Sequence, residues 1–230
     1  MCYKLNLQLW FLNRANISIT DNSSTSTIPE IIVNNGHSVE GIAYDWIHGK
    51  LYWADTMKST IELLTMTGRF RKTILKENLD QPYGIAVDPR DNQKWIYWTD
   101  FGEKPRIEKS GLDGSNRALV VATNIDMPTD IIIDYSENRL YWVDGRLQII
   151  SSCGLDGKNS RRILSDKANH PLGVDVFGDM IYWSEWVTRR VKQAYKHNGR
   201  LVKRIYRSST SSPGGLRVYH PTKQPSGKFS

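Results

Sequence analysis

The chain is poor in several things, and each shortage removes a class of function. It has only two cysteines, Cys2 and Cys153. They form no CxxC pair or spaced set, which argues against a zinc site or a redox dithiol. No apolar run approaches the ~18 residues that a membrane span requires. Met1–Leu12 carries Lys4, Asn6 and Gln8 inside its apolar stretch and reads poorly as a signal peptide. If the domain is exported, its signal lies upstream. The sequence lacks a nucleophile elbow and a His-Glu-x-x-His motif, and no cofactor is expected. A sustained 3.6-residue period of helical length is missing too. The net charge is +7, yet the basic residues are scattered and form no dense cluster. A basic surface draws acidic partners in general, and without a basic helix or patch the nucleic-acid reading fails.

What is abundant is aromatic. Eight tryptophans and eleven tyrosines favour strands, and many of them recur in register. Leu51-Tyr52-Trp53-Ala54-Asp55 returns as Ile96-Tyr97-Trp98-Thr99-Asp100, as Leu140-Tyr141-Trp142-Val143-Asp144 and as Ile181-Tyr182-Trp183-Ser184-Glu185. The tyrosines are 45, 44 and 41 residues apart, the period of a propeller blade or a helical-pair repeat.

The rest of each unit decides between these. A short apolar strand precedes the motif, as in Gly41–Asp45, Gly84–Asp88 and Gly173–Val176. A third segment follows and closes on a turn, with Leu-Asp-Gly at 112–114 and 155–157. Asp-Gly favours hairpins because both residues tolerate positive φ. A fourth strand then covers Lys72–Leu75, Ala118–Val121, Arg162–Leu164 and Val202–Tyr206. Four short strands with turn punctuation make one antiparallel sheet, and a sheet repeated at this period is a blade. Leu9–Asn13, Ile17–Thr20 and Glu30–Val33 read as a degenerate unit without a first strand. Gly214–Tyr219 reads as an orphan first strand. Joining them would clasp the ring and cover its exposed edges.

The Tyr-Trp-x-Asp repeat, its glycine-bearing first strand and its Leu-Asp-Gly turn resemble the class B repeat of low-density-lipoprotein-receptor proteins over residues 9–221. The expected fold is an all-β, YWTD-type β-propeller with five recognisable units, where the family has six. The missing unit falls between residues 13 and 39. Residues 1–8 are expected to end an upstream module or linker, and 222–230 to form an exit linker. Asp45-Trp46-Ile47-His48 looks like a loop of the receptor itself, and Val218–Pro225 is similar to propeller exits that lead into an epidermal-growth-factor-like module. By the same resemblance, Cys2 corresponds to the last cysteine of such a module upstream.

The resemblance implies an extracellular, non-catalytic module of an endocytic receptor, working at the cell surface and in the endosomal lumen. Implied partners are protein ligands, acidic ligand-binding modules of the same receptor and neighbouring EGF-like modules. A matrix or Wnt-pathway-type signalling module is the alternative. The Trp-Pro-Asn-Gly stretch that would serve it is replaced by Met127-Pro128-Thr129-Asp130. A calcium-dependent propeller hydrolase would need Asp55, Asp100, Asp144 and Glu185 to converge on one metal, whereas equivalent positions in a ring face separate junctions.

Neighbouring residues on a strand point to opposite faces, so each Tyr and its Trp are expected to pack against different neighbouring blades. Asp55, Asp100 and Asp144 are expected to accept backbone N–H groups across the blade junction. The longer Glu185 should strain its junction or swing outward. Candidate partner-face residues are Trp46, expected to be exposed, and His48, whose residue type titrates between surface and endosomal pH. Phe101 and Trp186, which directly follow the aromatic motif, join them. Asn16-Ile17-Ser18 and Asn22-Ser23-Ser24 are glycosylation sequons. Cys153 matches Ser110 of the neighbouring repeat and reads as a small buried thiol.

Overall fold

In a computed structural model, the described residues are 8–13, 16–21, 30–33, 38–65, 70–90, 93–165, 168–207, 214–218 and 223. All regular structure among them is strand, paired antiparallel in five separate sheets. The first is three-stranded, with β1 (Gln8–Asn13), β2 (Asn16–Asp21) and β3 (Glu30–Val33). Four four-stranded blades follow. The second unit holds β4 (Val39–Asp45), β5 (Lys50–Asp55), β6 (Thr60–Thr65) and β7 (Arg71–Leu75). The third holds β8 (Pro82–Asp88), β9 (Trp95–Asp100), β10 (Arg106–Gly111) and β11 (Ala118–Val121). The fourth holds β12 (Pro128–Asp134), β13 (Arg139–Asp144), β14 (Ile149–Gly154) and β15 (Arg161–Leu164). The fifth holds β16 (Pro171–Phe177), β17 (Met180–Glu185), β18 (Arg190–Tyr195) and β19 (Leu201–Arg207). Strands pair in chain order, and neighbouring blades meet through their first strands in a propeller arrangement.

The turns explain how six-residue strands reverse so often. Ser59, Lys94, Asn138, Gln148 and Arg189 all take positive φ just before the returning strand. At the two Asp-Gly turns only the glycine does so, with φ of +90° at Gly114 and +84° at Gly157. The Asp side chains act differently from the expected positive-φ pair. Asp113 Oδ1 accepts the Ser115 N–H at 2.9 Å, and Asp156 Oδ1 accepts that of Lys158 at 2.9 Å.

First strands approach each other closely at one repeated position. A β-carbon on Gly84 would sit 2.7 Å from Asp130 Cα, and one on Gly173 would sit 2.6 Å from the Leu216 nitrogen. Only glycine leaves room for such contact.

The expected clasp is different in the structure. Residues 214–218 form no strand, and no pairing with β1 occurs among the described residues. They lie against β16, in the place a further first strand would take. Side chains take up their polar groups instead of a ladder. Ser184 Oγ donates to the Gly214 carbonyl at 2.6 Å, and Asp175 Oδ2 accepts the Val218 N–H at 2.5 Å.

Candidate functional site

The repeated aromatic pair builds each blade junction. Tyr52 and Trp98 share one buried cluster, Tyr97 and Trp142 the next, and Tyr141 and Trp183 the third. At these three junctions the Tyr therefore faces forward to the following blade, and the Trp faces back. Side chains of this size bury about 150–250 Å² each, and at about 25 cal/mol per Å² of apolar surface each ring contributes several kcal/mol. The tyrosine hydroxyls are polar handles in an apolar joint. Tyr52 donates to the Leu112 carbonyl at 3.4 Å and Tyr97 to the Leu155 carbonyl at 3.2 Å, each acceptor lying in the turn of the next blade. Burial raises both tyrosine pKa values, so the hydroxyls stay protonated donors.

A second device covers the exposed side of the Trp. In the second and third blades a Glu opposite the ring holds over it an Arg that opens or directly precedes the fourth strand. Glu62 binds Arg71, whose guanidinium lies 5.1 Å from the Trp53 ring centroid. Glu108 binds Arg117, which lies 5.3 Å from the Trp98 ring.

The motif acids all turn inward. Asp100 accepts the Asp80 and Gln81 N–H groups at 3.0 and 2.9 Å, and Asp144 accepts those of Asp126 and Met127. These donors belong to the crossover that enters the same blade. Asp100 and Asp144 also accept from their own following turns, at Gly102 and at Arg146 and Leu147. Asp55 does the same with Ser38 and Lys58. Each carboxylate thus pins one linker and one hairpin to one blade, and the four acids have separate sets of donors.

Glu185 neither swings outward nor stays unpartnered. It is fully buried and uses its extra methylene to accept from Trp183 Nε1 at 2.9 Å, while still accepting the Asn169 N–H at 3.2 Å. Thr188 also donates to it, and Lys192 Nζ lies 2.7 Å away. Lys192 stands opposite Trp183 where Glu62 and Glu108 stand in other blades, so the charge at that third-strand position is reversed. Burial alone would raise the Glu185 pKa. Lys192, with the Thr188 and Trp183 donors, outweighs burial and holds it below the ordinary carboxylate value.

The four candidate partner residues do not share a face. In an antiparallel blade, successive hairpins lie at opposite ends. Trp46 and His48 belong to the β4–β5 turn, whereas Phe101 and Trp186 follow β9 and β17 in the second-to-third turns. Trp46 is half-buried rather than exposed, set edge-on to Tyr135 at 5.1 Å. His48 Nδ1 lies 2.8 Å from Asp45 Oδ2. Phe101 packs on Tyr83 at 5.2 Å. Trp186 is 54% exposed and Val187 61%, and Met57 and Leu147 project from equivalent turns on the same face. His170 joins them, since its carbonyl accepts the Trp186 N–H at 3.0 Å and its side chain is exposed.

The remaining expected positions divide by environment. Cys153 is buried beside Tyr97 and Trp142, and burial pushes its thiol pKa up to about 12. Asn16 opens β2, while Cys2 and Asn22 lie outside the described residues. The acids that close the first strands do a related job outside the aromatic motif. Asp45, Asp88 and Asp134 cap the hairpins at Ile47 and His48, at Arg90, and at Ser136. Their spacing ahead of each aromatic pentad was the available signal.

Comparison with known proteins agrees with this geometry. The family profile described as low-density lipoprotein receptor repeat class B matches residues 49–89, 94–135 and 138–177. The chain is 30% identical over 223 residues to Vitellogenin receptor Yl of Drosophila melanogaster, covering 97% of this chain. It is 32% identical over 197 residues to the vitellogenin receptor of Solenopsis invicta, covering 85% of this chain. In both cases it spans 11% of the relative's length. Among solved structures, that titled "Crystal structure of Nidogen/Laminin Complex" superposes with a TM-score of 0.66 at 21% identity, covering 90% of this chain and 96% of that one. That likeness is one of fold. The named relatives are receptors, and the fold of this domain is a propeller. The chain belongs to the low-density lipoprotein receptor class B repeat family.

Proposed function

We propose that this propeller is a protein-docking domain of an extracellular receptor of the vitellogenin-receptor kind, flanked by EGF-like modules. In this reading it works on the outer side of the cell surface and in the endosomal lumen. The observation that carries it is the cluster on the second-turn face, where Trp186 is 54% and Val187 61% exposed, with His170 beside them. Exposed aromatics next to polar and charged groups are the common anchors of protein interfaces. The net charge of +7 favours an acidic partner. Acidic, calcium-loaded ligand-binding modules of the same receptor fit that description.

Acid-dependent capture belongs to the same proposal, with His170 replacing His48 as the sensor. Imidazole is the side-chain type whose charge changes between cell-surface and endosomal pH. A charged imidazole beside Trp186 would strengthen contact with an acidic module and help displace a ligand bound there. His48 sits at the other end of its blade. The matrix-module reading has less support, because Asp130 in the stretch 127–130 is already engaged by Val174 and Arg217.

Binding of a calcium-loaded acidic ligand-binding module to the immobilised domain, measured at pH 7.4 and at pH 5.5, tests the proposal. Trp186→Ala should weaken binding at the lower pH at least tenfold. His170→Ala should flatten the pH dependence, and His48→Ala should leave it unchanged. Full binding by Trp186→Ala would overturn the reading.

A further inference from the structure

The first strands repeat closely, which makes two departures conspicuous. The glycine of Gly41, Gly84 and Gly173 is replaced by Asp130 in β12. The small apolar residue of Ala43 and Ala86 is replaced by Asp175 in β16. Both carboxylates are buried, at 6% and 0% exposure, in strands otherwise apolar at these places. A buried charge without partners is strongly unfavourable, so each substitution needs a compensating group.

The compensating groups come from the chain's own C-terminal segment. Arg217 makes a two-pronged contact with Asp130, Nη1 donating to Oδ2 at 2.8 Å and Nη2 to Oδ1 at 3.1 Å. The same Asp130 accepts the Val174 N–H at 2.9 Å. One carboxylate thus ties β12 to β16 and both to the segment. Asp175 accepts the Val218 N–H at 2.5 Å, and Lys223 donates to the same oxygen. Two acids that break the repeat meet two cations and one backbone N–H, and residues 214–218 form no ladder among the described residues.

We propose that Asp130 and Asp175 form an acidic seat for the basic residues Arg217 and Lys223, and that ion pairing at this seat holds residues 214–218 against β16. Strand pairing would hold the segment through hydrogen bonds that any sequence can make. This seat depends on Arg217 and Lys223 by charge. It therefore fixes where the chain leaves the propeller, independently of the partner face proposed above.

The test uses the full chain. Trypsin cleaves after Arg217 and after Lys223, so mass spectrometry can follow those two bonds beside amide exchange at Val218. Asp130→Gly and Asp175→Ala restore the residues of other repeats and remove the seat. Cleavage at both bonds should rise by about tenfold or more, with exchange in β9 and β13 unchanged, because proteolysis of a locally opened segment follows its open population. An unchanged rate would overturn the proposal. Equal loss of protection through β9 and β13 would also overturn it, since the carboxylates would then be holding blades and not the segment. Arg217→Gln and Lys223→Gln leave both acids in place. Here Val218 exchange should quicken, and unaltered protection would again refute the seat.

Discussion

The Tyr97 hydroxyl donates to the Leu155 carbonyl at 3.2 Å and so bonds the third blade to a turn of the fourth. One blade on, Tyr141 is buried in the same way, but its hydroxyl finds no acceptor among the described residues. The following turn reads Lys196-His197-Asn198-Gly199 where Leu-Asp-Gly stood before. Tyr97→Phe should cost about 1 kcal/mol, the net worth of an ordinary hydrogen bond, since the Leu155 carbonyl keeps Lys109 Nζ as a donor at 3.2 Å. Tyr141→Phe should be neutral or slightly stabilising. Urea unfolding of the two variants measures the contrast.

The Glu185–Lys192 pair should carry an acid-labile part of the stability. The folded-state pKa of Glu185 is lowered relative to the ordinary value. Its contribution is therefore complete above the unfolded-state pKa of about 4.3 and fades as pH falls through the folded value. Glu185→Gln should flatten the loss of stability below pH 4. Lys192→Met, which leaves the buried carboxylate without its cation, should cost about 3–5 kcal/mol at pH 7. Combining the two should recover much of that, and thermal unfolding across pH checks both statements.

Gly84→Ala should be severely destabilising although it adds only a methyl group. The added carbon would lie 2.7 Å from Asp130 Cα, and backbone on both sides leaves little room to yield. Overpacking of this kind costs about 1–3 kcal/mol. Gly178→Ala removes a glycine at φ +56° with open space around it, so it should show only the smaller backbone strain. Calorimetry on the pair separates crowding from conformation.

Cys153 should be inert to thiol reagents in the native state. Its pKa of about 12 leaves almost no thiolate at pH 8, and the side chain is fully buried. Labelling should track global unfolding in urea. Rapid modification without denaturant would contradict the packing described for the Tyr97–Trp142 junction.

Much of this was legible in the sequence, because the repeat presents each feature several times. Four copies of the aromatic pentad set the strands, the period and the division of labour between Tyr and Trp. The turn assignments came from Asp-Gly. The sequence was less informative about relations between units. Trp46 and Trp186 read alike as aromatics beside loops, and only the alternation of hairpin ends puts them on opposite faces. Glu185 looked like a misfit until Lys192, on the paired strand, showed the reversed charge. The clasp was misjudged for a related reason. Gly214–Val218 carries a first-strand pattern, but its backbone bonds to Ser184 and Asp175, and it joins no ladder among the described residues.

The forward-facing tyrosine and backward-facing tryptophan have a consequence for descent. Each joint involves only two adjacent units, and all the joints use the same parts. A whole unit can therefore be gained or lost by duplication or deletion without redesigning those that remain, as in other modular arrays. Where a first strand carries Asp130 or Asp175, the series departs from that uniformity, and charge meets Arg217 and Lys223 in place of ring packing.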